Sequence, residues 1–326
     1  MQTFVTGGSG FLGRALIHGL REKGHEVRAL ARSDAAVETV RAAGAEPVRG
    51  DLADVAALRD GMAGCQWVFH SAAMAKNWGP RRDFIEANVR GTEHVLEASL
   101  EAGVKRLIHV STEAVLVGGG PIRNADETRP LPQYPISLYA LTKGMAEKQV
   151  VAASCPERET VVVRPRFIWG KDDTTVLPEL IRAVREGRWA WIGGGRYLTS
   201  TCHVRNVVEG CLLAAERGKA KEIYFLTDGA PVELRDFITR MLQTQGVTPG
   251  KRAIPHALAA ALAWVGESAW SFLRVRRPPP ITRFDVKVIG EEVTVNDRKA
   301  REELGYRPVV TQEEGLREMT AGAGVT

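Results

Sequence analysis

Tyr139 and Lys143 stand four residues apart on a segment, Leu138 to Ala153, whose apolar spacing predicts a helix. That separation brings both side chains to one face. A phenol titrates near about pH 10 and is a poor proton carrier at neutrality. A neighbouring ammonium stabilises the phenolate and lowers its pKa. The pair therefore suits proton exchange with an alcohol or carbonyl oxygen. Alone, the spacing is common and mostly structural. Its weight comes from what precedes it: a glycine-rich turn near the N-terminus and two hydroxyls, Ser111 and Thr112, after a predicted strand.

The turn reads Thr6-Gly7-Gly8-Ser9-Gly10-Phe11-Leu12-Gly13, between a strand and a helix. Gly7, Gly10 and Gly13 fit T-G-x-x-G-x-x-G, and Gly8, Gly10 and Gly13 fit G-x-G-x-x-G. So tight a turn needs residues without Cβ, so that backbone N–H groups reach a pyrophosphate, and the helix N-terminus adds partial positive charge there. The end of the second strand selects the nucleotide. Ala31 occupies the place of the acid that would bind ribose hydroxyls, and Arg32 and Ser33 follow. That favours NADP, with Arg32 and Ser33 on the 2′-phosphate, and leaves NAD open. Asp34 is better placed, with Ser33, to cap the next helix. Two readings stand for Asp51-Leu52: bracketing the adenine ring, or capping a helix.

Strands and helices alternate around these residues. Strands are expected at 3–5, 26–31, 46–49, 67–70, 106–110 and 160–164, with helices at 11–23, 34–43, 84–102 and 138–153. This predicts an α/β fold, a Rossmann-type doubly wound parallel sheet, over residues 1–164. From 165 to 326 prolines and glycines are denser, which predicts a smaller, irregular, mainly substrate-binding lobe, with 222–226 returning to the main sheet.

Composition narrows the class. The 326 residues are 44% hydrophobic and 25% charged, an ordinary globular balance that excludes disorder and coiled coil. The net charge of +5 is mild, and no basic tract or nucleic-acid signature is present. Four scattered cysteines without C-x-x-C argue against a disulfide scaffold or a metal site. The strand at residues 3–5 leaves no room for a leader, so a cytoplasmic protein is expected.

In this order of motifs the chain resembles the extended branch of the short-chain dehydrogenase/reductase superfamily. The resemblance is carried by Thr6 to Gly13, Asp51-Leu52, His70 to Ala73, Asn88 to Thr92, Val110 to Thr112, Tyr139 to Lys143 and Arg164-Pro165. Within it, Lys76 to Gly79, Arg164 to Gly170, Pro279 to Phe284 and Lys299 to Pro308 resemble the 3β-hydroxysteroid dehydrogenase group, which includes reductases of 2-alkyl-3-oxoalkanoic acids. The resemblance implies that Tyr139 is the general acid or base. Lys143 would hold the nicotinamide ribose and depress the Tyr139 pKa. Thr112 would polarise the substrate oxygen, with Ser111 as fallback. Ala72 and Ala73 would approach the nucleotide, Pro165 to Phe167 would pass the nicotinamide, and a homodimer would pair the helices of Asn88 and Tyr139. Asn88 itself holds backbone or a relay water, or bonds to the fifth strand. Arg205 stands where relatives often have an acid. His70 and His109 read as packing residues.

The C-terminal lobe is rich in aromatics: Trp169, Trp189, Trp191, Trp264, Trp270 and Phe272. Residues 257–273 read as a helix apolar over most of its surface, followed by Arg274-Val-Arg-Arg277 and three prolines. A buried core helix with a solvated end is one reading. The other is a channel for a hydrophobic substrate, with a basic mouth suited to an anionic membrane surface or substrate. Together these features predict an NAD(P)-dependent oxidoreductase of bulky alcohols and ketones. Nucleotide-sugar epimerase or dehydratase, and a non-catalytic NADP sensor, are the alternatives on this scaffold.

Overall fold

The structure is a computed structural model and describes residues 1–322. Its centre is a seven-stranded sheet: β1 (Gln2–Thr6), β2 (Glu26–Ala31), β3 (Glu46–Arg49), β4 (Trp67–His70), β5 (Arg106–Val110), β7 (Glu159–Pro165) and β9 (Ile223–Leu226). All pair in parallel in the order β9-β7-β5-β4-β1-β2-β3. The return of 223–226 to this sheet, beside β7, agrees with the sequence reading.

Successive side chains in these strands feed two cores. Val5, Phe69, Ile108, Val161 and Val163 face one side, where α1 (Phe11–Glu22) and α8 (Val204–Arg217) supply Leu16, Ile17, Leu20, Val207 and Cys211. Phe4, Val68, Leu107 and Val162 face the other, against Leu58 and Met62 of α3 (Val55–Met62), Val95 of α5 (Gly91–Glu101) and Val150 of α6 (Leu138–Ala152). Burial on both faces explains the unbroken apolar runs. The short α2 (Asp34–Ala42) contributes Val40 to the first core.

The expected single helix at 84–102 is interrupted. The chain runs through α4 (Arg81–Phe84), a π-helical stretch at Ile85–Arg90, and then α5. The wider turn buries Asn88, whose amide bonds to the backbone of the β4–α4 segment. Gly91 lets the helix close on Leu52, since a Cβ there would lie 2.7 Å from Leu52 Cδ1. Helix α3 is an addition to the sequence reading.

A second, four-stranded sheet has the order β10-β8-β11-β6, from β6 (Ile122–Ala125), β8 (Leu198–Thr199), β10 (Val232–Glu233) and β11 (Val293–Val295). Around it lie α7 (Val176–Arg185), α9 (Leu234–Gln243), α10 (His256–Phe272), α11 (Arg283–Gly290) and α12 (Gln312–Gly322). Among the described residues no helix is long and apolar enough to cross a membrane.

Helix α6 is tied to the sheet by a buried ionic cluster. Glu147 accepts from Ser111 Oγ at 2.8 Å and from Arg164 Nε at 2.8 Å, and pairs with the Arg164 guanidinium. Removing one partner leaves a buried charge uncompensated. Glu147→Ala is expected to destabilise the fold by about 3–5 kcal/mol. Urea unfolding of variant and wild type measures this, and a difference within error would show the cluster contributes nothing.

Candidate active site

The glycine turn is built for a close approach. Gly7 has φ +74°, its carbonyl accepts from Gly10 N at 2.9 Å, and a Cβ on Gly13 would lie 2.0 Å from that carbonyl. A Cβ on Gly7 would strike Ala72 N at 2.8 Å, so the β4 loop also crowds the turn. Helix α1 begins after Gly10 with no side-chain cap, leaving its first N–H groups to an outside acceptor. Phe11 is buried, and Leu12 packs against the core between the sheet, α1 and α8. Ser71 Oγ donates to Thr6 O at 2.7 Å and Ala72 N to Thr6 Oγ1 at 3.2 Å, which places Ala72 beside the turn; Ala73 is exposed. These residues fit a dinucleotide pyrophosphate.

At the end of β2, Arg32 is exposed and Ser33 is the N-cap of α2, accepting from Ala36 N at 3.2 Å. Arg49, which sequence reasoning missed, lies in register beside Ala31, and its guanidinium pairs with Asp34 at 2.6 Å. Asp51 accepts from Ala53 N, while Asp54 is the residue that caps α3. Leu52 lies between that loop and α5, its carbonyl bonded to His94 Nδ1 at 2.7 Å.

Tyr139 and Lys143 lie on α6 next to the end of β5, but the lysine does not tune the phenol. Lys143 is 2% exposed, donating to Val110 O at 2.7 Å and to His109 Nε2 at 3.2 Å. An ammonium has three protons, so one remains for a ligand. Burial brings its pKa down to about 8, against an opposing pull from Glu147. The Tyr139 pKa is raised, not lowered as the spacing suggested. Burial is the main cause, the Glu113 carboxylate adds to it, and a hydrogen bond with Thr112 opposes both. The lysine is turned to the β5 carbonyl, and the charge that acts on the phenol is negative.

Glu113 is the residue that sequence reasoning did not find. It is buried, with Arg166 Nη1 at 2.9 Å on one oxygen and Thr112 Oγ1 at 2.9 Å on the other. Arg166 also reaches Thr199 Oγ1 and Val288 O, each at 3.1 Å. The Thr112 proton is thus committed to Glu113, and its oxygen accepts from Ala114 N at 3.1 Å. Ser111 is committed to Glu147.

Asn88 bonds neither the fifth strand nor a side chain of the phenol pair. Its Oδ1 accepts from Met74 N at 2.7 Å, and its Nδ2 donates to Met74 O at 3.2 Å and Thr142 Oγ1 at 3.0 Å, pinning the β4 loop to α6. His70 bridges Thr6 Oγ1 at 2.7 Å and Thr92 Oγ1 at 3.0 Å. Burial and the Lys143 charge bring its pKa to about 3, and the same causes with His70 keep His109 neutral. Pro165 ends β7, and Phe167, at φ +45°, packs edge-on to Phe237. Arg205 pairs on the surface with Glu318 at 3.0 Å. No metal-binding group of His, Cys, Asp or Glu occurs among the described residues.

A cavity of about 680 Å³ opens beside this group, between the 77–80 loop, the start of α6, α10 and α11. Trp78, Trp264, Trp270 and Phe284 give it apolar walls, with Arg274 and Arg276 also lining it. Phe284 stands edge-on to Tyr139, ring centres 6.4 Å apart, so the phenol and cavity share a wall. Trp169 and Trp191, in contrast, are core residues, and Trp189 packs against them.

Glu113→Gln removes the negative charge facing Tyr139 and is expected to lower the phenol pKa. The alkaline limb of a reduction pH profile, where the phenol proton is lost, then moves to lower pH. An unmoved limb in a folded variant would remove Glu113 from this role.

Comparison with known proteins agrees with the motif resemblance. The model of the NAD dependent epimerase/dehydratase family matches residues 3–226. The 4-hydroxy-2-methyl-3-oxo-4-farnesyl-3,4-dihydroquinoline-1-oxide ketoreductase of Stigmatella aurantiaca is 53% identical over 97% of this chain and 95% of its own. A 2-alkyl-3-oxoalkanoate reductase of Stenotrophomonas maltophilia is 36% identical over 99% of both. The crystal structure of gox2253 has a TM-score of 0.78 at 30% identity, covering 98% of this chain and 97% of that one. With a match over more than half its length, behind a glycine turn and a Tyr–Lys helix, the chain belongs to the NAD dependent epimerase/dehydratase family.

Proposed function

We propose that the protein is an NAD(P)-dependent ketoreductase that interconverts a ketone and a secondary alcohol on a bulky hydrophobic molecule. The observation that carries this is Tyr139 sharing the Phe284 wall with a cavity that Trp78, Trp264 and Trp270 line, and burial and Glu113 raise its pKa. The named relatives are a farnesylated quinoline ketoreductase and a reductase of alkylated 3-oxo acids. Both fit a cavity of that character. The epimerase or dehydratase alternative, which requires a pocket for a sugar diphosphate, is not favoured by relatives named as reductases of hydrophobic ketones. The sensor alternative has no use for a tyrosine and lysine set together on α6 beside a cavity.

The glycine turn and the start of α1 would hold the dinucleotide, which in its reduced form would supply the hydride for the carbonyl carbon. Tyr139 gives its phenolic proton to the carbonyl oxygen, completing the alcohol. Keeping the phenol neutral suits this acid role. Lys143 offers its remaining N–H to the ribose hydroxyls, with Val110 O and His109 holding it in place. Thr112 hydrogen-bonds to the phenol, and its hydroxyl stabilises the phenolate when it donates to Tyr139 in place of Glu113. Donating to the substrate oxygen would require the hydroxyl to turn from Glu113. Asn88 fixes the loop of Ala72 and Ala73 against α6, and Pro165 to Phe167 would border the nicotinamide.

For the nucleotide we favour NADP. Ala31 leaves no acid against a 2′-phosphate, Arg32 is free of recorded ion pairs among the described residues, and Arg49 neutralises Asp34. Ser33 contributes through the start of α2. A homodimer through α5 and α6 is supported by exposed Leu100 and Met145 on those helices. A single-chain mass in analytical ultracentrifugation would rule it out. A hydrophobic substrate also makes contact with a membrane through 257–277 part of this reading.

Tyr139→Phe is expected to lower turnover by roughly 10²–10⁴, measured as NADPH oxidation with a hydrophobic ketone, and near-normal turnover would end the acid assignment. Arg32→Ala is expected to weaken NADPH binding about 10–100-fold, the range for a lost charged hydrogen bond, with little change for NADH. Equal effects on both nucleotides would return the preference to NAD.

A further inference from the structure

Helix α10 is built inside out. Its inward residues are small: Ala259 and Ala263 are fully buried against α11. Apart from Trp270, its large apolar residues are exposed. Leu258, Leu262, Val265 and Phe272 recur at the spacing of one helix face and are all exposed, Phe272 at 87%. Leu273 continues the stripe at 65% exposure, and Trp264 flanks it, also exposed. The stripe runs about 20 Å. The helix has two titratable residues, His256 and Glu267, and both face protein partners: His256 lies 3.1 Å from Glu291, and Glu267 accepts from Arg283 N and Nε. No acid interrupts the outer face.

At the end of the stripe stand Arg274, Arg276 and Arg277, all exposed. None has an ion-pair partner recorded among the described residues. A row of large apolar side chains that closes on unpaired arginines matches a surface that is apolar inside and negative at its rim. The same helix end, through Trp264, Trp270 and Arg274, lines the cavity beside Tyr139.

We propose that α10 and residues 273–277 dock on an anionic lipid bilayer, with Leu258, Leu262, Val265, Phe272 and Leu273 immersed and the arginines on lipid phosphates. The cavity mouth then opens at the membrane, so a lipid-like substrate enters without crossing water. The docking surface stands on the geometry of α10 alone. Substrate delivery rests on the ketoreductase reading given above.

The test is co-sedimentation of the full chain with phosphatidylcholine vesicles, with and without phosphatidylglycerol, at low and high salt. Binding is expected to the anionic vesicles and to fall with salt. Phe272→Ser with Leu273→Ser should weaken it at least tenfold, and Arg277→Ala about fivefold. None of these side chains lines the cavity, so NADPH oxidation with a small water-soluble 3-oxo ester should be unchanged. Wild type that ignores anionic vesicles, or variants that bind as well as wild type, overturn the proposal. So does a doubled mass in solution that Phe272→Ser with Leu273→Ser abolishes, which identifies a second copy as the occupant. Vesicle binding without any carbonyl reduction leaves the docking surface standing and removes the ketoreductase reading instead.

Discussion

An ammonium group sealed from water depends on its acceptors. Lys143 has the β5 backbone at Val110 and the His109 ring, and the architecture follows from supplying them. His109 must be neutral to accept, and its burial beside the lysine and His70 keeps it so. His70 in turn is fixed from both sides by Thr6 and Thr92, the first of which begins the glycine turn. Three strand ends and two helices are therefore tied together by polar contacts on either side of the packed His70 and His109 rings. A rigid scaffold is what an acid–base residue needs to be presented at a fixed angle.

Beside it, two buried carboxylates divide the hydroxyls between them. Ser111 belongs to Glu147 and Arg164, and Thr112 belongs to Glu113 and Arg166. The first cluster fastens α6 to the sheet. The second reaches α11 through Val288 O and the second sheet through Thr199, so the phenol's electrical environment is set partly by the C-terminal half of the chain. Adjacent residues of similar chemistry thus acquire different duties from the charge each one faces.

The legible part of this arrangement was local. Apart from the interrupted 84–102 segment, the strands and helices that were read up to Arg164 came close to the observed limits, because most strands carry a short apolar run and glycines or capping residues punctuate the helices. The glycine turn and the Tyr–Lys spacing are likewise short-range patterns. Helix α3 had a usable signal, Asp54 followed by Val55, Leu58 and Met62, that was passed over amid flanking glycine and aspartate. So did α8, with Val204, Val207, Val208, Cys211 and Leu212 at helical intervals. Glu113 and Arg166 had none: the partners are 53 residues apart, and nothing in either neighbourhood marks a buried ion pair. The upward shift of Tyr139 was hidden for the same reason. The aromatics after Arg164 looked alike in the sequence, yet Trp169 and Trp191 fill a core while Trp264 and Trp270 line the cavity, a division that only packing reveals.

The chain does not lay down its layers in order. Strand β6 is an edge of the second sheet although it precedes β7, while β9 and α8 return to cover the first. The interior that Val5 and Leu16 begin is closed by Ala300, Leu304 and Tyr306. During synthesis on a ribosome, the part of that interior which Ala300, Leu304 and Tyr306 cover stays open until some 75 residues after β9 have been made. The nascent sheet therefore carries an unfinished interior while the second sheet and its helices are being made.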